Sequence, residues 1–322
     1  MTRANKNALV IVFSLILSLL LSINTYAGEQ DWPRIIKHEK GQLELKHKPL
    51  RIVSTSPSLT GILLANDTKL LASAASTPSA LTDNKGFFTQ WAKIADERGV
   101  EVLYNNLNFD LEAIIGLQPD LVIGSTIGGD SIVDYYDELV AQGIPTMLVN
   151  YGNTSWQDLA TELAYATGNE EDAQKAAKNF DVKIQEAAKK IQANGQTVSI
   201  VGYDIGATFS ISKNNSPQAH ILTGLGFKVL PLPDELKNST SLSADFDFIS
   251  HENLAGAIAG DVIFLLRGED KDVSAFLADP ILRNLTPVKN QRVYPLGISS
   301  FRIDYYSGLE MVDKILKTYQ HQ

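Results

Sequence analysis

Two arginines stand where anion chemistry would need them. Arg267 follows directly on the apolar run Phe264-Leu265-Leu266, and Arg302 closes the segment Ser299-Ser300-Phe301-Arg302. A guanidinium is always charged and presents a planar fork of donors, so two that converge suit an oxygen-rich anion. Lys213 offers a third positive charge, and Tyr203, Phe209 and Tyr305 offer flat aromatic faces for stacking. Hydroxyl side chains that follow strand-like runs, Ser54, Thr55, Ser56, Ser58 and Ser125, could add neutral hydrogen bonds. The turn Gly128-Gly129-Asp130-Ser131 could cradle an anion at a helix start, or simply end a strand.

Catalytic constellations are poor. The chain holds no P-loop, no G-x-S-x-G elbow, no H-E-x-x-H and no G-x-G-x-x-G after a strand. Its histidines, His38, His47, His220, His251 and His321, never pair at the spacing of one helix face. A zinc or manganese site would need several imidazoles converging with a carboxylate, so no protein-ligated metal is expected. An exported α/β hydrolase stays open as a rival of another class, without a nucleophile motif to support it.

The elements that must position these residues alternate. Strand patterns at 51–55, 70–74, 120–124 and 146–150 enclose helical patterns near 58–65, 88–96, 110–117 and 131–141. The second half repeats this, with strands at 198–203, 228–231, 261–266 and 292–296 and a closing helix over 304–319. Such alternation predicts doubly wound α/β lobes with mostly parallel sheets. Between the halves a helix runs from about Glu170 to Ala193, with Asn169 as its cap, acids in its first turn, Lys189 and Lys190 near its end, and Gly195 as its stop. Ala173, Ala176, Phe180, Ile184, Ala187 and Ile191 form one apolar stripe along it. The expected architecture is therefore two α/β lobes, 28–168 and 196–322, bridged by one long rigid helix at 169–195, with limited hinge closure. In parallel sheets ligands bind beyond the carboxyl ends of strands, which is where Arg267, Tyr203, Ser56, Ser125 and the Phe209–Asn215 loop fall. The halves also share a faint repeat: Glu112 opens a helix that leads through Pro119-Asp120 into a strand, and Glu252 does so through Gly260-Asp261.

Residues 1–27 have the form of a secretory signal. Basic Arg3 and Lys6 precede an apolar run from Ala8 to Leu21 and a small-residue exit at Ala27. That run is short for a membrane span, which needs roughly 20 residues. No cysteine occurs anywhere in the 322 residues, so disulfides, thiolate metal sites and a lipid-bearing cysteine are all ruled out. Cleavage after Ala27 would take the net charge from −9 to −11, because only Arg3 and Lys6 are charged in that segment. Such acidity disfavours nucleic acid or an anionic membrane as partner, and an anionic ligand would need a locally basic pocket.

Several strings resemble one family. They are Asp31-Trp32-Pro33, Arg51-Ile52-Val53-Ser54-Thr55-Ser56, Gln118-Pro119-Asp120-Leu121, Gly128-Gly129-Asp130-Ser131 and, most specifically, Phe301-Arg302-Ile303-Asp304-Tyr305-Tyr306-Ser307. Over nearly the whole mature chain the sequence resembles the periplasmic substrate-binding proteins of iron-siderophore ABC importers, above all the ferric-enterobactin binders. The resemblance implies the class III periplasmic binding protein fold, a monomer, no enzymatic activity, and a ferric catecholate siderophore held between the lobes with iron ligated by the siderophore alone. It implies that Arg302 contacts ligand, and that Glu112 and Glu252 dock the lobes onto an ABC permease of the inner membrane. The pattern departs at two loops. The family's tryptophan is missing from Phe209-Ser210-Ile211-Ser212-Lys213 and its arginine from Thr77-Pro78-Ser79-Ala80-Leu81, while Arg267 stands where a small residue is expected. A hydroxamate siderophore, haem or cobalamin on the same fold stays open.

Overall fold

The computed structural model describes residues 32–152, 154–237, 243 and 245–319. The expected signal segment, 1–27, lies outside them. Among the described residues no helix is long and apolar enough to cross a membrane.

An antiparallel hairpin, β1 (Arg34–His38) and β2 (Gly41–Leu45), precedes the first sheet. That sheet is built from β3 (Ile52–Ser54), β4 (Leu70–Ser73), β5 (Glu101–Val102), β6 (Leu121–Ser125) and β7 (Thr146–Val149), in the order β5-β4-β3-β6-β7 and parallel throughout. Strands β3, β6 and β7 are buried along their whole length, as expected where helices cover both faces. The second sheet contains β8 (Thr197–Gly202), β9 (Phe209–Ser212), β10 (Lys228–Val229), β11 (Phe246–Ile249), β12 (Val262–Leu266) and β13 (Val293–Pro295). Its order is β11-β9-β8-β12-β13, with β10 also paired to β8. β8, β10, β12 and β13 pair in parallel, whereas β9 and β11 turn back antiparallel. The expected loop at Phe209–Asn215 is thus in large part a strand, and the expected helix over 131–141 is a 3-10 turn at Val133–Tyr135 followed by an α-helix at Tyr136–Ala141.

The acidic repeat has a structural purpose. Asp120 accepts hydrogen bonds from the backbone N–H groups of Leu50 and Arg51 at 2.8 and 2.7 Å, fixing where β3 begins beside β6. Asp261 does the same in the second sheet, accepting from Thr197 Oγ1 at 2.6 Å where β8 begins beside β12.

The bridging helix runs over Glu170–Ile191, and its buried residues are the six of the predicted stripe. Phe180 and Ile184 alone bury side chains worth about 1.5–3 kcal/mol each. Its ends differ from expectation. Asn169 makes no side-chain cap and accepts the first bond through its carbonyl, from Ala173 N–H, while the helix stops at left-handed Gln192 before Gly195 is reached. Buried Arg34 ties the hairpin to the helix start, 2.5 Å from Glu170 Oε1 and stacked on Trp32 and Tyr165. The closing helix, Tyr305–Tyr319, packs on the bridging helix and also on the first-lobe helices Pro57–Ala65 and Thr89–Glu97. At its start Asp304 sits so close to Gly61 that a Cβ there would lie 2.5 Å from Asp304 Oδ2.

Candidate ligand-binding site

The carboxyl ends of both sheets face a crevice with two cavities along it. The first, of roughly 470 Å³, is lined from the first lobe by Ser58, Tyr151 and Asp158, and from the second by Gln218, Asp245 and Arg302. The second, of roughly 240 Å³, is lined by Tyr203, Arg267 and Ile298 from the second lobe and by Ala80 from the first. Phe301 sits at the first cavity and carries the Arg267 guanidinium over its ring at 5.3 Å. The Arg302 guanidinium lies over the Tyr151 ring at 4.4 Å. Neither arginine has an ion-pair partner among the described residues. A guanidinium seated on a ring face keeps its N–H fork free for an anion.

Tyr151 is held in place by a buried carboxylate. Asp130, 7% exposed, accepts from Tyr151 Oη at 2.6 Å and from Ser56 Oγ at 2.5 Å. Burial first, and then the Asp130 charge and bond, push the Tyr151 phenol up to about 12. Gly128 makes this possible: its φ is +80°, and a Cβ there would collide with the Tyr151 hydroxyl. The Asp130 carboxylate of the Gly128–Ser131 turn is thus engaged by Ser56, Tyr151 and the backbone N–H of Ser58.

The other predicted residues fall in different places. Tyr203 lines the second cavity with its ring and donates from Oη to Asp279 Oδ2 at 2.8 Å; burial and that carboxylate raise its phenol to about 12. Ser56 and Ser125 are fully buried and satisfied locally, Ser56 by Asp130 and Ser125 by the backbone of Ile127. They frame the crevice without facing it. Lys213 is spoken for: its Nζ donates to the Ser243 carbonyl at 2.7 Å and lies 3.7 Å from Asp247 Oδ1. Phe209 stacks on His251 at 4.7 Å, packed against the second-lobe core. Tyr305 packs on Trp156 and Phe180, at the seam between the closing and bridging helices, not in either cavity. Glu112 and Glu252 are both exposed, the first in the opening turn of helix Leu111–Leu117, the second in the 3-10 turn His251–Asn253. Bonds from its own N–H and from Ser250 hold the Glu252 carboxyl below the usual range.

Beside Glu252, His251 Nε2 is 2.6 Å from the same Asp279 Oδ2 that Tyr203 donates to. Burial alone would raise Asp279, but the bonds from His251, Ile281 N–H and Tyr203 outweigh it and hold the carboxyl low. Sequence reasoning missed Tyr151, Asp245 and Gln218. The one signal for Gln218 was its place two residues after Ser216, a serine before Pro217 at a helix start, which puts a polar side chain in the first turn of Pro217–Gly224.

Residues 52–298 match the family described as periplasmic binding protein. The chain is 39% identical over 314 residues to the ferric enterobactin-binding periplasmic protein FepB of Escherichia coli, covering 96% of each. Among solved structures it is similar to holo-ViuP, with a TM-score of 0.79 and 34% identity over 90% of this chain and 96% of that one. It shares the fold of SirA from Staphylococcus aureus complexed with staphyloferrin B, at a TM-score of 0.65 and 22% identity over 88% and 97%.

Proposed function

The chain belongs to the periplasmic binding protein family, and on that premise we propose that it captures a ferric catecholate siderophore between its lobes and hands it to an inner-membrane ABC permease. The observation that carries this reading is the likeness to the ferric enterobactin-binding protein across 96% of both chains. The crevice supports it with two unpaired guanidinium groups on aromatic seats, at Arg302 and Arg267. Arg267 takes over the charge that the ferric-enterobactin pattern places in the loop reading Thr77-Pro78-Ser79-Ala80-Leu81 here. Tyr203 and Phe301 offer faces for the catechol rings. The protein acts by binding, not by catalysis, and iron is ligated by the siderophore.

In this reading residues 1–27 direct export and are removed after Ala27, leaving a monomer that diffuses in the periplasm, with no cysteine to carry a lipid. Residues 28–168 and 196–322 are its lobes and 169–195 their bridge. Glu112 and Glu252, exposed once in each lobe, dock on the permease.

Tryptophan fluorescence tests the capture step, because Trp156 is flanked by Ser155, Asp158 and Leu159 of the first cavity. Ferric catecholates should quench it with sub-micromolar affinity and free ferric ion should not. A flat titration across a catecholate panel would remove the proposal.

A further inference from the structure

Arg267 stands in a backbone conformation that its side chain does not favour. Strand β12 ends in a tight turn, closed where Gly268 N–H donates to the carbonyl of Leu265 at 3.1 Å, and Arg267 is the third residue of that turn, with φ at +54°. A positive φ at this place calls for glycine or asparagine, because a Cβ crowds the carbonyl that follows it. Most other non-glycine residues with positive φ, among them Asn106, Asn194 and Asp204, are polar residues on exposed turns. Arg267 is long, half-buried and attached to a strand that is buried throughout.

The fold holds it there. Its N–H donates to Ser300 Oγ at 2.9 Å, and that fully buried hydroxyl donates in turn to the carbonyl of Gly297 at 2.7 Å. Phe301, the residue after Ser300, carries the guanidinium on its ring, and no hydrogen bond or ion pair engages that group among the described residues. Strain retained beside a cavity, for a side chain whose fork has no partner in the protein, points to a ligand.

The cavity limits what that ligand is. At roughly 240 Å³ the second cavity falls below the roughly 300–1,000 Å³ that enclose a whole small-molecule ligand, whereas the first, at roughly 470 Å³, falls within that range. The second therefore takes an arm of the cargo. Exposed Lys271 lines it beside Arg267; of its two carboxylates, Asp272 already accepts the N–H of Glu269 at 2.8 Å and Asp204 is exposed. A planar fork of donors matches a carboxylate with two parallel bonds. Catecholate oxygens give their lone pairs to iron, so a carboxylate is the strongest acceptor such a cargo can extend away from its metal.

We propose that the second cavity binds a free carboxylate of the cargo, clamped by Arg267, while Arg302 holds the ferric chelate in the first cavity. The cargo class is then a ferric catecholate siderophore that carries a carboxylate outside its iron-binding set. This inference rests on the siderophore reading above and narrows it.

Two synthetic hexadentate ferric tris-catecholates test it, one with a carboxylate on its backbone and one with the matching carboxamide. The full chain, freed of its signal, should bind the carboxylate form at least tenfold more tightly than its twin. The chain's net charge of −9 opposes the extra negative charge, so such a preference cannot come from the overall field. Equal affinities, or a preference for the carboxamide, would overturn the inference and leave the siderophore reading standing. If neither twin binds, and the wider catecholate panel is flat as well, the parent reading fails and takes the inference with it. In Arg267→Gly and Arg267→Ala the ratio between the twins should fall to within twofold of one, whereas Arg302→Ala should weaken both twins together and keep the ratio. A ratio that survives the loss of Arg267, or vanishes with Arg302, would place the carboxylate elsewhere and overturn the assignment. The Gly variant should also unfold about 2 °C above the Ala variant, the reverse of the usual order, because only glycine relieves the backbone. An Ala variant that melts at or above the Gly variant would show an unstrained backbone and overturn the claim that this position is held for its charge.

Discussion

At the carboxyl end of the first sheet, Ser56, Asp130 and Tyr151 satisfy one another, and Ser125 closes on the backbone of Ile127. From the second lobe, Arg267 and Arg302 rest on aromatic rings with no carboxylate in salt-bridge contact among the described residues. Polar groups that are already paired offer a ligand shape but little new bonding, whereas an unpaired guanidinium offers both charge and direction. On the proposed reading the first lobe therefore supplies a stiff frame, and the second supplies most of the attraction. One ring crosses between them: Tyr151, which Asp130 holds from the first lobe, is the seat of Arg302 from the second.

This contrast can be broken by substitution. Arg302→Ala should weaken ferric catecholate binding by at least tenfold, since loss of one partner in a desolvated charge pair costs about 2–5 kcal/mol, with little change in the unfolding temperature. A variant that binds normally would show that the second lobe does not carry the attraction.

The seam between lobes gives the next effect. Asp304 is buried against Gly61 and Gln90, and burial, only partly offset by bonds from Ser307 and Gln90, raises its carboxyl to about 6. The native state then holds a proton that the unfolded chain releases at the usual value of 3.8. Stability from this group is therefore lost as pH rises from the unfolded value through the folded one. Between about pH 4 and pH 7 the stability of Asp304→Asn should gain on the native chain by on the order of 2–3 kcal/mol. Parallel urea melts at the two pH values check it, and equal differences would mean the carboxyl titrates normally.

The smallest effect belongs to the frame. Ser56→Ala should cost about 1 kcal/mol of stability by removing one bond to Asp130, and should move ligand affinity less than twofold. A large loss of affinity with unchanged stability would make Ser56 a ligand contact and erase the distinction between the lobes.

Much of this architecture was legible in the sequence because it rests on periodicity. The stripe from Ala173 to Ile191 and the apolar runs of β6 and β12 have one physical interpretation each. What escaped was pairing direction and partner choice. Phe209–Ser212 reads as a loop because its short alternation gives no sign of the antiparallel partners on either side. Ser56, Ser125 and Lys213 have the right chemistry for ligand contacts, yet each is engaged elsewhere: Ser56 by Asp130, 74 positions away, Lys213 by Ser243 and Asp247, and Ser125 by the backbone of nearby Ile127. Tyr305 illustrates the opposite error: an aromatic beside Arg302 in sequence turns to the helix seam, and the ring under Arg302 comes from Tyr151.

The closing helix has a temporal consequence. It covers Pro57–Ala65 and Thr89–Glu97, so the first lobe is finished by residues synthesised long after its own. A nascent chain that has not yet reached Asp304 leaves that face, including Gly61 and Trp91, without its lid. Early domains of a chain often fold while synthesis continues, but this order of assembly postpones completion until Tyr305–Tyr319 has been made. On the proposed export route, a polypeptide that must cross a membrane unfolded would gain time from such a delay.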